Sequence, residues 1–390
     1  MAPQEASKVF IAATRQNEGK TSVSLGLMTA FQRRFSRVGF IKPVGQRYLT
    51  VDGQQVDEDS VLVEKVCKVK CALKDMSPVA VERGFTERYV RHPDPAELRQ
   101  RIVDSYARVA EGQRLVVIEG TGHAGVGSVF DLSNAQVAKL LGASAVIVSG
   151  GGIGRPIDEI MVNKAMFDQE GVRVVGVIIN KVLQDKYEKI NELVRLGLER
   201  NGVRVLGVIP YVPMLANPTV GIILEETGAE LLSGEQGLER EVRRTVVGAM
   251  PAHAALDYLG EGVLLITPGT REDLILGAVS SSVVAGSTER SIAGIALTGP
   301  DYPHATVLSL LRKTDIPVLA IREDTYTVTS MIHDLMVKIR PTDLRKIETL
   351  SWLVEEYVDV DALVVAIEED NGRARQEQGH PATPASGEGA

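Results

Sequence analysis

The fold of this chain is decided by one stretch near its start, Val9-Phe10-Ile11-Ala12-Ala13-Thr14-Arg15-Gln16-Asn17-Glu18-Gly19-Lys20-Thr21. The stretch begins with an apolar run, as in a strand that is buried on both faces. A polar turn follows, and residues 20–34 have the composition of a helix that opens on Gly-Lys-Thr. An apolar strand, a polar turn and a helix in this order predict a loop that binds phosphate.

The turn departs at one position from the usual phosphate-loop pattern, G-x-x-x-x-G-K-[ST], because Thr14 stands in place of the first glycine. Backbone N–H groups of such a turn and of the helix start bind phosphate oxygens. Gly19 allows close approach of the backbone, Lys20 reaches the outer phosphates, and Thr21 is a ligand for Mg²⁺. The alternative is a helix start that carries Gly-Lys-Thr by chance. The loop residues predicted to contact the nucleotide are Thr14, Asn17, Glu18, Gly19, Lys20, Thr21 and Ser22.

Two further strand ends carry polar side chains suited to a nucleotide site. Residues 115–119 form an apolar run that ends in Glu119, which we expect to bind Mg²⁺ directly or through water. The alternative is a strand-end glutamate that faces solvent. Residues 177–181 end in Asn180 and Lys181, and the Asn180 amide can pair with an adenine edge. The alternative there is an ordinary turn at the end of a strand.

Short apolar runs alternate with amphipathic segments along the chain, which predicts an α/β fold with a doubly wound, mostly parallel sheet. A second series of the same kind predicts a smaller α/β domain, in which residues 362–367 return to the sheet as a strand. The predicted boundaries are 1–240 for the nucleotide domain, 241–260 for a linker, 261–370 for the second domain and 371–390 for a disordered tail.

The composition of the 390 residues excludes several classes of protein. There are 43 Lys and Arg against 51 Asp and Glu, the net charge is −8, and no basic block is present, so nucleic acid is not an expected partner. No apolar run approaches the ~18 residues of a membrane span, so no membrane partner is expected either. The N-terminus lacks a secretion signal, which favours the cytoplasm. Cys67 and Cys71 are expected to be free thiols.

With these segments placed, residues 1–240 resemble the phosphate-loop domain of dethiobiotin synthetases, whose loop reads T-D-T-E-V-G-K-T. The other places that carry the resemblance are Lys42-Pro43, Asp57-Glu58-Asp59-Ser60, Glu119-Gly120-Thr121-Gly122-His123, Asn180 and Ile209-Pro210. The same region is more similar to the N-terminal part of long-form phosphotransacetylases, in which a DRTGG-type domain follows. Residues 267–274 resemble that domain, with Thr270 in place of its Asp and Pro300 in place of its last Gly.

The resemblance implies ATP and Mg²⁺ as cofactors and a homodimer as the oligomeric state. The roles that it adds are those of Asp59 as a metal ligand with Thr21 and Glu119, of Pro210 as a nucleotide contact, and of Lys42 as a catalytic group with Lys20. The alternative for Lys42 is a surface lysine that follows a strand.

Two functions are compatible with these features. The first is a regulatory module or slow ATPase, which senses a metabolite through its second domain and has a separate enzyme chain as partner. The second is an ATP-dependent ligase or carboxylase-type synthetase, which converts a small carboxylate or other metabolite into an acyl- or carbamoyl-phosphate. His123 is the candidate general base, and a polar surface role is its alternative. Acetyl transfer in the resembled family resides in a further C-terminal domain, so we expect no phosphotransacetylase activity from these residues alone.

Overall fold

The computed structural model describes residues 6–284, 292–335 and 337–378. Two compact units divide the chain as Met1–Tyr211 with Ile339–Ala390 and as Val212–Lys338. In sequence, the second unit therefore lies between two parts of the first. No helix within the described ranges is long and apolar enough to cross a membrane.

The first unit is built on a six-stranded sheet in which every neighbouring pair of strands is parallel. The strands of this unit are β1 (Ser7–Ala13), β2 (Val38–Ile41), β3 (Val44–Gly45), β4 (Tyr48–Val51), β5 (Gln54–Asp57), β6 (Val79–Ala80), β7 (Leu115–Glu119), β8 (Ser144–Gly150), β9 (Val174–Val182) and β10 (Val205–Pro210). The order in the large sheet is β10-β9-β8-β1-β7-β2. Its apolar runs are buried almost throughout, because helices cover both faces. The predicted doubly wound, mostly parallel sheet is confirmed.

Helix α1 has the predicted bounds, and several helices of this part of the chain have side-chain caps. They are α1 (Lys20–Arg34), α2 (Glu58–Cys67), α3 (Leu73–Met76), α4 (Phe85–Arg91), α5 (Pro95–Ala110), α6 (Asn134–Leu140), α7 (Arg155–Gln169) and α8 (Tyr187–Glu199). The carboxylate of Asp57 caps α2 by accepting from the Asp59 N–H, and Ser133 with Gln136 forms a capping box on α6. These caps satisfy N–H groups that have no partner inside a helix.

The second unit has a five-stranded sheet in the order β11-β15-β14-β13-β12, with β11 antiparallel to its neighbour and the others parallel. Its elements are α9 (Pro213–Ala216), α10 (Val220–Thr227), β11 (Glu230–Ser233), β12 (Arg244–Val247), α11 (Ala252–Ala255), β13 (Val263–Pro268), α12 (Glu272–Val284), β14 (Gly294–Thr298), α13 (Ala305–Leu311), β15 (Val318–Ile321) and α14 (Thr325–His333). Apolar side chains pack against both faces of this sheet. It is the smaller α/β domain that the second series of strands predicts.

The chain then returns to the first unit with α15 (Leu344–Tyr357) and α16 (Val360–Gln378). Helix α15 packs on α1, where Gly26 leaves room for Val354. Between α15 and α16, the backbone of Val358 forms an antiparallel bridge with Gly207 on the edge strand β10. Helix α16 contacts β1, β8, β9 and β10, so the C-terminal helices cover part of the large sheet as well as its β10 edge.

These helices correct the predicted domain boundaries. Residues 362–367 form part of α16 rather than a strand, because Val360, Leu363 and Ile367 repeat with helical spacing and are buried. The predicted linker contains β12, which pairs with β13 inside the second unit. Of the predicted disordered tail, residues 371–378 continue α16, and residues 379–390 lie outside the described part of the chain.

Candidate functional site

The candidate site lies where the carboxyl ends of the parallel strands of the first unit meet. The phosphate loop follows β1, Lys42 follows β2 directly, Glu119 ends β7, and Asn180 lies near the end of β9. Parallel neighbours bring such ends to one edge of the sheet, which is where open α/β folds bind their ligands. The sheet therefore gathers residues that are far apart in sequence.

The first residue of the loop is tied to the neighbouring strand β8. The Thr14 N–H donates to the carbonyl of Val148 at 2.9 Å, and the Thr14 hydroxyl lies 3.2 Å from the hydroxyl of Ser149. Thr14 is 3% exposed, so its side chain packs under the loop. This position accounts for a threonine where the usual pattern has glycine: here the residue anchors the loop with its side chain.

Lys20 and Thr21 begin α1 and face the carboxylate of Glu119. The Lys20 ammonium donates to Glu119 Oε1 at 2.6 Å, and the Thr21 hydroxyl lies 2.9 Å from the same oxygen. The Thr21 hydroxyl is also 3.2 Å from Oδ2 of Asp59, at the start of α2. The structure therefore brings together the predicted phosphate lysine and all three predicted Mg²⁺ ligands.

Lys42 lies behind this group and is 6% exposed. Its ammonium donates to Oδ2 of Asp59, lies 2.9 Å from Oδ1 of Asp57, and is 4.0 Å from Oε1 of Glu119. Burial lowers the pKa of Lys42, but the charges of Asp59 and Asp57 outweigh it and raise this pKa above its usual range. Lys42 is thus a charged lysine inside the site.

The two aspartates at the start of α2 respond to the cluster in opposite ways. Burial raises the pKa of Asp57, and the attraction of Lys42 only partly opposes this. For Asp59 the charges of Lys42 and Lys20 outweigh burial and hold its pKa below the usual range. Asp57 was not among the predicted site residues, although its position two residues before Asp59 and its type as a helix cap were visible in the sequence.

Two carboxylate oxygens in this cluster bear on whether Mg²⁺ fits it. Oε2 of Glu119 and Oδ2 of Asp57 are buried and have no hydrogen-bond partner in the described structure. No group of three or more His, Cys, Asp or Glu in the described ranges is arranged to hold a metal ion by itself. Mg²⁺ ordinarily takes only one or two carboxylates and completes its shell with water and substrate phosphates. The oxygens of Thr21, Asp59 and Glu119 therefore fit such an ion.

The remaining predicted nucleotide contacts lie in the loop, in the first turn of α1 and at the ends of β9 and β10. Asn180 is 7% exposed, and its amide Nδ2 donates to the carbonyl of Glu18 at 2.9 Å. Ser22 is half-buried in the first turn of α1, and Pro210 is buried at the end of β10. Asn17 has a left-handed backbone, φ 68°. The structure thus brings Asn180 against the loop, and its contact with adenine stays a prediction.

The segment that resembles a DRTGG motif lies after β13 in the second unit. The Arg271 guanidinium donates to the carbonyls of Gly248 and Met250 and pairs with Asp273. Gly299 has a positive φ of 86°, directly before Pro300. Arg271 therefore holds the loop after β12 in place.

Two family models match the chain in succession. The AAA domain matches residues 7–219, and the DRTGG domain matches residues 222–335. The predicted order of a phosphate-loop domain and a DRTGG domain is confirmed. The DRTGG match begins before the predicted boundary at 261 and lies within the second unit.

Similar proteins include the phosphate acetyltransferase of Nitratidesulfovibrio vulgaris, which is 27% identical over 366 residues that cover 92% of this chain and 51% of that protein. The phosphate acetyltransferase of Pseudomonas putida is 29% identical over 370 residues, 90% of this chain and 50% of that protein. This chain spans about half the length of these relatives. Among solved structures, the MinC:MinD cell division complex of Aquifex aeolicus is similar, with 15% identity and a TM-score of 0.36 over 54% of this chain and 84% of that chain.

Proposed function

This chain belongs to the AAA domain family, and from that premise we propose that its first unit binds ATP together with Mg²⁺ at residues 14–21. One observation carries the proposal: the Thr21 hydroxyl lies 2.9 Å from Glu119 and 3.2 Å from Asp59, beside the Lys20 ammonium. A phosphate-binding lysine and oxygen ligands for a cation are thus gathered at the start of one helix.

Each group has a role that follows from its chemistry. The N–H groups of the loop and of the first turn of α1 bind the phosphate oxygens. With nucleotide bound, the Lys20 ammonium would bind the outer phosphates in place of Glu119, and the oxygens of Glu119, Asp59 and Thr21 would be available to hold Mg²⁺. The bound ion neutralises phosphate charge. Lys42, which is charged and buried, stabilises charge that develops on the γ-phosphate.

Nucleotide affinity of a Lys20→Ala variant tests the site. Removing this lysine takes away charge-assisted contacts worth about 1.5–3 kcal/mol each, so we expect at least tenfold weaker binding of Mg²⁺–ATP by calorimetry. Substitution of the exposed Lys70 by alanine is the matched control and should leave the affinity unchanged. Equal affinities of wild type and Lys20→Ala would contradict the proposal.

We further propose that the chain acts as a regulatory module or slow ATPase, with the DRTGG unit as the sensor of a metabolite. The succession of the two matched domains supports this proposal. The ring of His123, the candidate general base of a ligase, is exposed and accepts a hydrogen bond from the Gly125 N–H within its own loop. A homodimer and a separate enzyme chain as partner belong to this proposal. Slow ATP turnover that changes when a metabolite binds residues 222–335 is the expected result.

The second candidate is an ATP-dependent ligase that forms an acyl- or carbamoyl-phosphate. The burial of Lys42 among Asp57, Asp59 and Glu119 favours it, because a fixed positive charge there suits phosphoryl transfer. ADP release measured with a panel of carboxylic and amino acids separates the two candidates. Stimulation by one of these compounds supports the ligase, and a uniformly slow rate supports the regulatory module.

A further inference from the structure

Two neighbouring side chains at the end of β9 hold the backbone of the phosphate loop. The amide of Asn180 donates to the carbonyl of Glu18 at 2.9 Å, and the ammonium of Lys181 donates to the carbonyl of Asn17. Consecutive residues of the strand thus bind consecutive carbonyls of the loop, across more than 160 positions of sequence.

These two hydrogen bonds determine where the loop's N–H groups point. In a trans peptide the carbonyl of one residue and the N–H of the next point in opposite directions. When the carbonyls of Asn17 and Glu18 are held towards β9, the N–H groups of Glu18 and Gly19 are turned away from it. Those N–H groups belong to the segment that binds phosphate in loops of this type.

The backbone around the contact is specialised for it. Asn17, Gly19 and Lys181 all have positive φ, at 68°, 82° and 59°. A Cβ on Gly19 would lie 2.3 Å from Nδ2 of Asn180, so the glycine is what lets that amide reach the Glu18 carbonyl. A left-handed backbone is costly for residues other than glycine and persists where surrounding contacts hold it. For Asn17 that contact is the hydrogen bond from the Lys181 ammonium to the Asn17 carbonyl.

The other side of the loop is held independently. Arg15 pairs with Glu159 of α7 at 3.0 Å and with Glu18 at 3.2 Å. The carboxylate of Glu18 also occupies the space beside Gly150, where a Cβ would lie 2.4 Å from Oε2. The loop is therefore held at two places in the nucleotide-free protein: at the end of β9 through Asn180 and Lys181, and at α7 through Arg15.

We propose that Asn180 and Lys181 are positioning residues for the phosphate loop, which set affinity for the phosphate chain rather than choice of base. The inference rests on the proposed ATP site and deepens it. This role differs from the predicted pairing of Asn180 with adenine, because the amide N–H of Asn180 donates to the Glu18 carbonyl of the loop.

The test compares two ligands, Mg²⁺–ATP and Mg²⁺–tripolyphosphate, which has the phosphates and no base. The variants are Asn180→Leu, which keeps the approximate shape and loses the donor without adding charge, and Lys181→Met, which keeps the stem and loses the charge. We expect each to weaken both ligands by a similar factor, about fivefold or more. Lys186→Met, an exposed lysine nearby, is the matched control and should change neither affinity. Weakened ATP binding with unchanged tripolyphosphate binding would overturn the proposal, since it would assign the pair to the base.

Hydrogen exchange of the nucleotide-free protein provides a second measurement that needs no ligand. In both variants, amides of residues 15–19 should exchange faster than in wild type, while those of β8 should not change. Unchanged exchange in the loop would overturn the proposal. If wild type binds neither ligand, the proposed ATP site fails, and faster loop exchange in the variants still supports the positioning role.

Discussion

At the scale of single residues, five charged side chains share a small volume behind the phosphate loop. Two of them are lysines and three are carboxylates; they are Lys20, Lys42, Asp57, Asp59 and Glu119. Buried groups without full compensation are costly, and two of the carboxylate oxygens have no hydrogen-bond partner in the described residues. One of these oxygens, Oε2 of Glu119, belongs to the proposed Mg²⁺ site.

Asp57→Asn should stabilise the protein at neutral pH. The variant keeps the helix cap and an oxygen for the Lys42 ammonium, and it removes a buried carboxyl group whose pKa burial raises, so we expect a gain of about 1 kcal/mol, or roughly 2–4 °C in Tm. Because the pKa is raised in the folded state, the cost of ionised Asp57 exists above that pKa and vanishes as the pH falls towards about 4. Thermal unfolding between pH 7 and 4 should show the difference from wild type shrink. A variant less stable than wild type at pH 7 would contradict this account.

At the scale of elements, α15 packs against α1, the helix whose first turn belongs to the candidate site. Gly26 lies in the interior of α1, where glycine is unfavourable by about 1 kcal/mol relative to alanine. A Cβ at this position would lie 2.4 Å from Cγ2 of Val354 and 3.0 Å from the carbonyl of Leu350. Close packing therefore outweighs helix propensity at this residue.

Gly26→Ala should destabilise the protein by about 1–3 kcal/mol through overpacking, in spite of the better helix propensity of alanine. Val354→Ala creates the missing space, so the double variant should be more stable than the sum of the single effects by about 1 kcal/mol. Denaturant unfolding of the four proteins measures this coupling. Additive effects would mean that α15 does not press on α1 at this point.

At the scale of the whole molecule, the first unit is completed by residues that follow the second unit in sequence. Buried apolar residues of α15 and α16 face the first unit, among them Leu350, Val354, Leu363 and Ile367. Each such side chain contributes about 1.5–3 kcal/mol when buried, and a domain is stable by only about 5–15 kcal/mol. The C-terminal helices are therefore a necessary part of the first unit.

A chain that ends at residue 338 should accordingly lose the cooperative unfolding of its first unit and its affinity for Mg²⁺–ATP. In the full chain, the fluorescence of the single tryptophan, Trp352 on α15, reports on that unit. Circular dichroism and nucleotide titration of the truncated chain make the comparison. Retention of wild-type ATP affinity would show that α15 and α16 are dispensable.

Local pattern was sufficient for the loop, for the alternation of strands and helices that builds the large sheet, and for the order of the two domains. Residues 14–21 can be recognised as a phosphate loop from their own spacing. The apolar runs of a buried parallel sheet can likewise be recognised one strand at a time, without knowledge of the neighbouring strands. Local pattern was not sufficient to choose between strand and helix at residues 362–367, because a short apolar run is compatible with either. There, packing against the sheet of the first unit decided.

The sequence by itself thus determined a phosphate-loop fold, its likeness to one family and the residue types of its site. Only the tertiary structure decided which of these residues meet: that Lys20 faces Glu119, that Lys42 lies between Asp57 and Asp59, and that Asn180 binds the loop. It also decided that the last helices belong to the first unit. The physical reason is the same in each case. Spacing along the chain fixes local hydrogen bonds and amphipathicity, whereas contacts between distant residues depend on which strand ends the sheet brings side by side.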